Sequence, residues 1–220
     1  MKNESLKRIF SSLVIIPVTF FFILKGSIFF MFFLGIFFLL ASYEWTRMSK
    51  NILIKLLGIT YLLFVSYTAY LLRGDYLNDF YYFLFVIIIC ISTDVGGYLF
   101  GKLFKGPKLT KISPNKTYAG MIGSFFLSII SAYQFKIYVF EIVLPGEFHL
   151  SNINDFYLLL LILFISSMSQ TGDLIISYFK RLSKVKNTGN LIPGHGGLLD
   201  RVDGIIFALP ASYILFKLIN

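Results

Sequence analysis

The stretch GSIFFMFFLGIFFLLASY, residues 26–43, runs for eighteen residues without one charged side chain. A helix rises about 1.5 Å per residue and the hydrocarbon core of a bilayer is about 30 Å thick, so a run of this length approaches one crossing. Similar apolar runs occupy residues 9–24, 56–72, 80–91, 118–140, 157–168 and 204–216. The fourth and sixth of the seven runs reach spanning length only when extended through residues 93–104 and 170–179, and those extensions carry acids. All are too long for core strands. The expected fold is therefore all-α: a polytopic integral membrane helix bundle of about seven transmembrane helices, with a polar site inside the membrane or at its cytoplasmic face.

Composition points the same way. The chain is 57% apolar and 14% charged, with a mean hydropathy of +0.78, whereas soluble domains run near 45–50% apolar and about 25% charged. Lys2, Lys7 and Arg8 ahead of the first run imitate a signal peptide. No small-x-small cleavage site follows and the next run begins almost at once, so the segment is read as a retained helix. The single cysteine, Cys90, excludes a disulfide framework, and with only His149 and His195 beside it no zinc set can be assembled. Cys90 lies in an apolar run and is expected to be inert packing.

A net charge of +9 suggests nucleic acid until the charges are placed. With a cytoplasmic N-terminus and seven crossings, sixteen of the twenty basic residues fall in inside segments, and the far side keeps Lys25, Arg73, Lys136 and Lys217. The segment 141–155 holds three acids and no base. That asymmetry is the positive-inside pattern of a membrane protein and not a nucleic-acid footprint.

Two stretches interrupt the apolar filler. The first runs from Ser92-Thr93-Asp94-Val95-Gly96-Gly97-Tyr98 to Lys111-Ile112-Ser113-Pro114-Asn115-Lys116-Thr117. The second runs from Gln170-Thr171-Gly172-Asp173 to Gly194-His195-Gly196-Gly197 and Asp200-Arg201-Val202-Asp203. Asp94 and Asp173 lie within spanning segments, where an acid costs a few kcal/mol unless paired or bound to an ion. The bland alternative is an internal salt bridge to Lys180 or Arg181, or exposure at a helix end. Carboxylates with water suit Mg²⁺, and the i, i+3 spacing of Asp200 and Asp203 puts both on one face of a helix. Helix N-capping by one of that pair is the alternative. Lys108, Lys111, Lys116, Lys180, Arg181, Lys186 and Arg201 supply the positive lining a polyphosphate needs, although inside loops carry lysines anyway. Glycines 194, 196 and 197 expose backbone N–H groups able to cradle an anion. Residues 96–103 approach a P-loop, but Leu103 stands where Ser or Thr must bind magnesium. Gly97-x-x-x-Gly101 reads instead as a helix-packing face. No Gly-x-Ser-x-Gly elbow supports a serine hydrolase.

Ser177-x-x-Lys180-Arg181, Lys186, Gly189 and Pro193-Gly194-His195-Gly196-Gly197-x-x-Asp200-Arg201-x-Asp203 closely resemble the signature of the phosphatidate cytidylyltransferase (CDP-diacylglycerol synthase) family. The Gln170-x-Gly172-Asp173 lead-in and the motifs at Asp94 and Lys111 look like the same family, so the resemblance covers roughly residues 80–220. It divides the chain into N-terminal transmembrane helices over 1–79 and a catalytic membrane region over 80–220, with the signature loop at 170–203. It implies transfer of CMP from CTP to phosphatidic acid, with release of pyrophosphate, at the cytoplasmic side of the inner membrane.

The cofactor it implies is Mg²⁺, with room for a second cation; the lipid bilayer is a partner, nucleic acid is not, and a homodimer is allowed. The resemblance assigns the metal to Asp173 and Asp203 with Asp200 helping, and phosphate contacts to Lys180, Arg181 and Lys186. Asp94, Lys111, Ser113, Lys116, Gly194, Gly196 and Gly197 are expected to complete substrate binding, with His195 and Arg201 in the catalytic group. Two departures stand out: Asn187 replaces the family's usual Asp, and the N-terminal region is shorter than in many relatives. Rival readings are a CTP-dependent enzyme acting on an ether-lipid phosphate or a polyprenol, a cation-coupled transporter, and a catalytically silent family member.

Overall fold

The computed structural model describes residues 2–74, 77–143, 153–194 and 196–219. His195 and residues 144–152 of the acidic segment lie outside the described residues, and with them the expectations placed there. The described chain is helical, with two isolated bridges and no strand. Its helices are α1 (Lys2–Lys25), α2 (Ser27–Met48), α3 (Ile52–Arg73), α4 (Leu77–Phe104), α5 (Tyr118–Phe135), α6 (Asp155–Leu182), the single turn α7 (Leu199–Val202) and α8 (Ile205–Ile219). A π-helical stretch, Lys136–Val143, continues α5.

Among the described residues, five segments are long and apolar enough to cross a membrane: Ser27–Met48, Ile52–Arg73, Asp79–Phe104, Tyr118–Val139 and Asp155–Leu182. Phe10–Lys25 and Ile205–Leu218 are apolar but shorter. The chain is thus a membrane helix bundle, and residues such as Leu13, Leu57 and Leu103 turn their side chains outward, as a lipid-facing surface requires.

The bundle centres on α4, α5, α6 and α8, where Phe85, Val86, Ile89, Leu158, Ile162 and Ile165 are fully buried. Cys90 is buried in the same cluster, as expected of inert packing. Helices α4 and α5 approach closely because glycines line their contact. A Cβ on Gly96 would collide with the Gly123 carbonyl, and one on Gly97 would lie 2.8 Å from Ser124 Oγ. This is the small-residue packing expected for Gly97 and Gly101, and it holds the C-terminal half of α4 firmly against α5.

Two of the four basic residues assigned to the far side serve the fold. Arg73 donates from Nε to the Ile23 carbonyl at 2.9 Å and from Nη2 to the Leu24 carbonyl, joining the ends of α1 and α3. Lys136 pairs with Asp155 at 3.0 Å, closing α5 on the start of α6. The two basic loops, 105–117 and 183–198, line one cavity away from these contacts, and Arg181 at the end of α6 donates from Nε to the Ile112 carbonyl of the first.

Candidate active site

Along α6 the polar residues Ser166, Gln170, Asp173, Ser177 and Lys180 recur at steps of four and three, which aligns them in one stripe. The upper part of the stripe is structural: Thr93 of α4 donates to Ser166 Oγ at 2.8 Å, and Ser124 of α5 donates to the Thr93 carbonyl at 2.7 Å. The lower part opens into a cavity of about 490 Å³ between α4, α5, α6 and both basic loops. Gly172 brings the last elements in, because a Cβ there would lie 2.6 Å from the Asp203 carbonyl and 2.7 Å from the Phe207 ring. Asp203 is thereby delivered beside Asp173.

Three acids converge. Asp173 Oδ2 pairs with Lys116 Nζ at 2.6 Å, and Asp173 Oδ1 accepts from Ser177 Oγ at 3.3 Å. Asp203 lies within hydrogen-bonding reach of Asp173, and Asp94 within electrostatic reach of Asp173 and Lys116. Burial first, and then the neighbouring charge and hydrogen bond of Asp173, push the Asp203 carboxyl well above the usual carboxylate range, with Lys180 opposing. The salt bridge considered for Asp173 is therefore real but runs to Lys116 of the other loop, not to Lys180 or Arg181.

Asp200 behaves differently from its neighbour three residues on. Its Oδ1 pairs with Lys180 Nζ at 2.8 Å, and its Oδ2 accepts from the backbone N–H of Thr188 at 2.9 Å and of Gly197 at 3.1 Å. Although Asp203 continues the helical turn of α7 and both carboxylates line the cavity, they engage different partners. Asp200 clamps the loop while Asp203 faces Asp173. Of the three acids expected at the metal, Asp173 and Asp203 stand together and Asp200 is engaged with Lys180 and the loop. Among the described residues, no group of three or more His, Cys, Asp or Glu is arranged to hold a metal ion.

The cavity is lined by Asp94, Ser113, Lys116, Asp173, Lys180, Arg181, Lys186, Asp200, Arg201 and Asp203, so ten of the expected site residues meet there. Asn187 lines it as well. Lys111 is exposed and does not contribute to the lining. Glycines 194, 196 and 197 do not line it either. The Gly196 N–H donates to Ile192 and that of Gly197 to Asp200, so these donors shape the loop instead of facing an anion. Positive φ at Gly194 (77°) and Gly196 (91°) explains the glycines at those two positions.

Glu44 of α2 is the residue the sequence reading missed. It is buried, and its carboxylate accepts from the Leu198 N–H, the Leu199 N–H and the Thr188 hydroxyl, each at 2.9 Å. Gly189 and Gly197 pack around it, where a Cβ would lie about 2.5–2.6 Å from its oxygens. The available signal was an acid at the end of an otherwise apolar run, which membrane energetics marks as functional by default.

Two carboxylates in contact inside a partly buried cavity call for a positive charge beside them, and Lys116 already supplies one to Asp173. The pair is also the donor set that suits a magnesium ion, which binds through one or two carboxylates and keeps its remaining positions for water and phosphate oxygens. Lys116, Lys180, Arg181, Lys186 and Arg201 line the same cavity, with Lys116 and Lys180 already paired to Asp173 and Asp200.

Residues 50–219 match the model of the Cytidylyltransferase family, beginning ahead of residue 80, where the motif resemblance starts. Among curated proteins, the chain is 38% identical over 185 residues to a protein of Staphylococcus haemolyticus (strain JCSC1435) named phosphatidate cytidylyltransferase, covering 81% of this chain and 65% of that one. It is 39% identical over 140 residues to the protein of that name from Bacillus subtilis (strain 168), covering 63% of this chain and 48% of the other. The corresponding protein of Staphylococcus aureus (strain COL) is 43% identical over 136 residues, covering 61% of this chain and 48% of the other. The chain thus spans between about half and just under two thirds of the length of these relatives.

Proposed function

This chain belongs to the Cytidylyltransferase family, and from that premise we propose that it transfers CMP from CTP to phosphatidic acid, giving CDP-diacylglycerol and pyrophosphate. The observation that carries the reading is the cavity in which Asp173 and Asp203 face Lys116, Lys180, Arg181 and Lys186. In the reaction, an oxygen of the lipid phosphate attacks the α-phosphorus of CTP. One P–O bond forms, the bond to the β-phosphate oxygen breaks, and pyrophosphate leaves with that electron pair. The attacking group belongs to the substrate, so the protein's task is to position two polyanions and neutralise their charge.

Asp173 and Asp203 would hold the magnesium ion, with Asp94 nearby. Once bound it would neutralise phosphate charge and polarise the reacting phosphoryl group. Lys116, Lys180, Arg181 and Lys186 hold the phosphates, Ser113 donates at the rim, and Arg201 faces the lipid headgroup. Asp200 keeps Lys180 and the signature loop in place.

Purified protein should release pyrophosphate from CTP, and not from the other nucleoside triphosphates, when phosphatidic acid is supplied. Turnover confined to an ether-lipid phosphate or a polyprenol would overturn the lipid assignment.

The site end of the bundle faces the cytoplasm in this reading, at the inner membrane, with α1 and α8 joining the five long helices to make seven crossings. The support is that both basic loops line one cavity while Arg73 and Lys136, away from it, are engaged in internal contacts. A cysteine placed at Lys108 should react with an impermeant reagent only from the cytoplasmic side; reaction only from outside would invert the topology.

Asn187 borders the cavity but is exposed, and Asp173 and Asp203 already suffice for an ion that keeps several waters. Asn187→Asp should leave turnover and the magnesium requirement within about threefold of the parent, since the amide carbonyl already offers an acceptor. A large gain in activity or in apparent metal affinity would show that a ligand has been misassigned.

A further inference from the structure

A second cavity, about 410 Å³, lies between α1, α2, α3, α4 and α8 and shares Arg201 with the polar one. Thr19 of α1, Phe33 of α2, Ser66 and Ala69 of α3, Ile87 of α4 and Leu209 of α8 are among the residues that wall it. Among the described residues, Arg201 is its only charged lining residue. An apolar cavity that shares Arg201 with a cation-lined polar one suits a ligand with an anionic head and a hydrocarbon tail. Its length agrees. Along α1 it extends from Ser12 to Ile23, which at about 1.5 Å per residue is roughly 16 Å, close to the hydrocarbon depth of one leaflet, about half of ~30 Å.

We propose that this groove holds one acyl chain of the lipid whose phosphate occupies the polar cavity, with Arg201 at the junction of tail and headgroup. The proposal rests on the function given above and adds the location of the acceptor's tail. The N-terminal helix α1 then becomes part of the lipid site. Its Ser11 hydroxyl donates to the Pro193 carbonyl at 3.1 Å, which ties the groove's outer wall to the signature loop. A substituent that fills the groove should weaken binding of long-chain acceptors and leave the nucleotide side untouched. Displacing one or two methylenes corresponds to about a tenfold rise in KM.

The test uses the full chain in nanodiscs with a phosphatidic acid carrying a diazirine on one acyl chain. Labels are expected on the α1 and α3 peptides containing Thr19, Ser66 and Ala69, and phosphatidic acid should compete at least tenfold better than phosphatidylcholine. Labels confined to the outward residues Leu13, Leu57 and Leu103, or equal competition by both lipids, would mean annular lipid only and would overturn the proposal. Labelling needs no turnover. A labelled groove in a protein inert toward CTP would therefore refute the enzymatic reading and leave the lipid site standing. In the active protein, Thr19→Trp with Ser66→Phe should raise KM for a dioleoyl acceptor about tenfold, with KM for CTP and for a dihexanoyl acceptor unchanged. Equal effects on both acceptors, or none, would reject the groove.

Discussion

Replacing Asp173 or Asp203 by asparagine is expected to lower CTP-dependent turnover by about a hundred- to a thousandfold while the protein still inserts and folds. Each substitution removes a charge from a pair whose members touch inside the cavity, and each keeps the side-chain volume, so no packing defect is created. The loss should be deepest at low magnesium and partly recovered as magnesium is raised, because the weakened step is cation binding. Asp200→Asn provides the contrast. Its carboxylate is 9% exposed and committed to Lys180 and two backbone N–H groups, so its loss should loosen the loop and reduce turnover without shifting the magnesium dependence. A magnesium titration of the three variants checks the division. Parent-like activity in both Asp173→Asn and Asp203→Asn would refute the metal assignment, and a shifted requirement in Asp200→Asn would return Asp200 to the ligand set.

The sequence made the bundle visible because lipid imposes one strong rule: a long run of apolar residues is a helix. Residues 26–43 and 56–72 obey it without exception, and both lie in long apolar helices. That Asp94 and Asp173 belong to a polar site was legible for the same reason, since acids in apolar surroundings must find a partner or an ion; the sequence grouped Asp173 with Asp200 and Asp203 and set Asp94 apart. What could not be read was direction. The i, i+3 spacing of Asp200 and Asp203 predicts a shared face, and both do line the cavity, but it does not tell that Asp200 is taken by Lys180 and two backbone N–H groups. The glycines at 194–197 were read for their free N–H groups, but those of Gly196 and Gly197 close the loop on Ile192 and Asp200. Partners distant in sequence were equally hidden. Lys116, in the loop ahead of α5, reaches Asp173 of α6, and no local spacing encodes that choice.

Glu44→Leu is expected to reduce turnover at least a hundredfold although residue 44 lies outside the catalytic cavity. The carboxylate accepts from three groups of the signature loop, two of them the backbone N–H groups that precede and open α7. Leucine fills the space and leaves all three donors unsatisfied in a buried place, at about 1–3 kcal/mol each. The loop regains hydrogen bonds only by lifting toward water, and it carries Lys186, Asp200 and Arg201 with it. Hydrogen exchange should therefore rise across residues 183–198 while the spanning helices stay protected. Glu44→Gln should fall between leucine and the parent. Its amide oxygen preserves one acceptor, but its NH₂ group meets donors where the second oxygen stood. A general loss of stability would raise exchange in α4 and α6 as well, whereas a positioning role confines it to the loop and lowers activity more than melting temperature. Parent-like turnover and loop protection in Glu44→Leu would show that the loop holds its shape without α2.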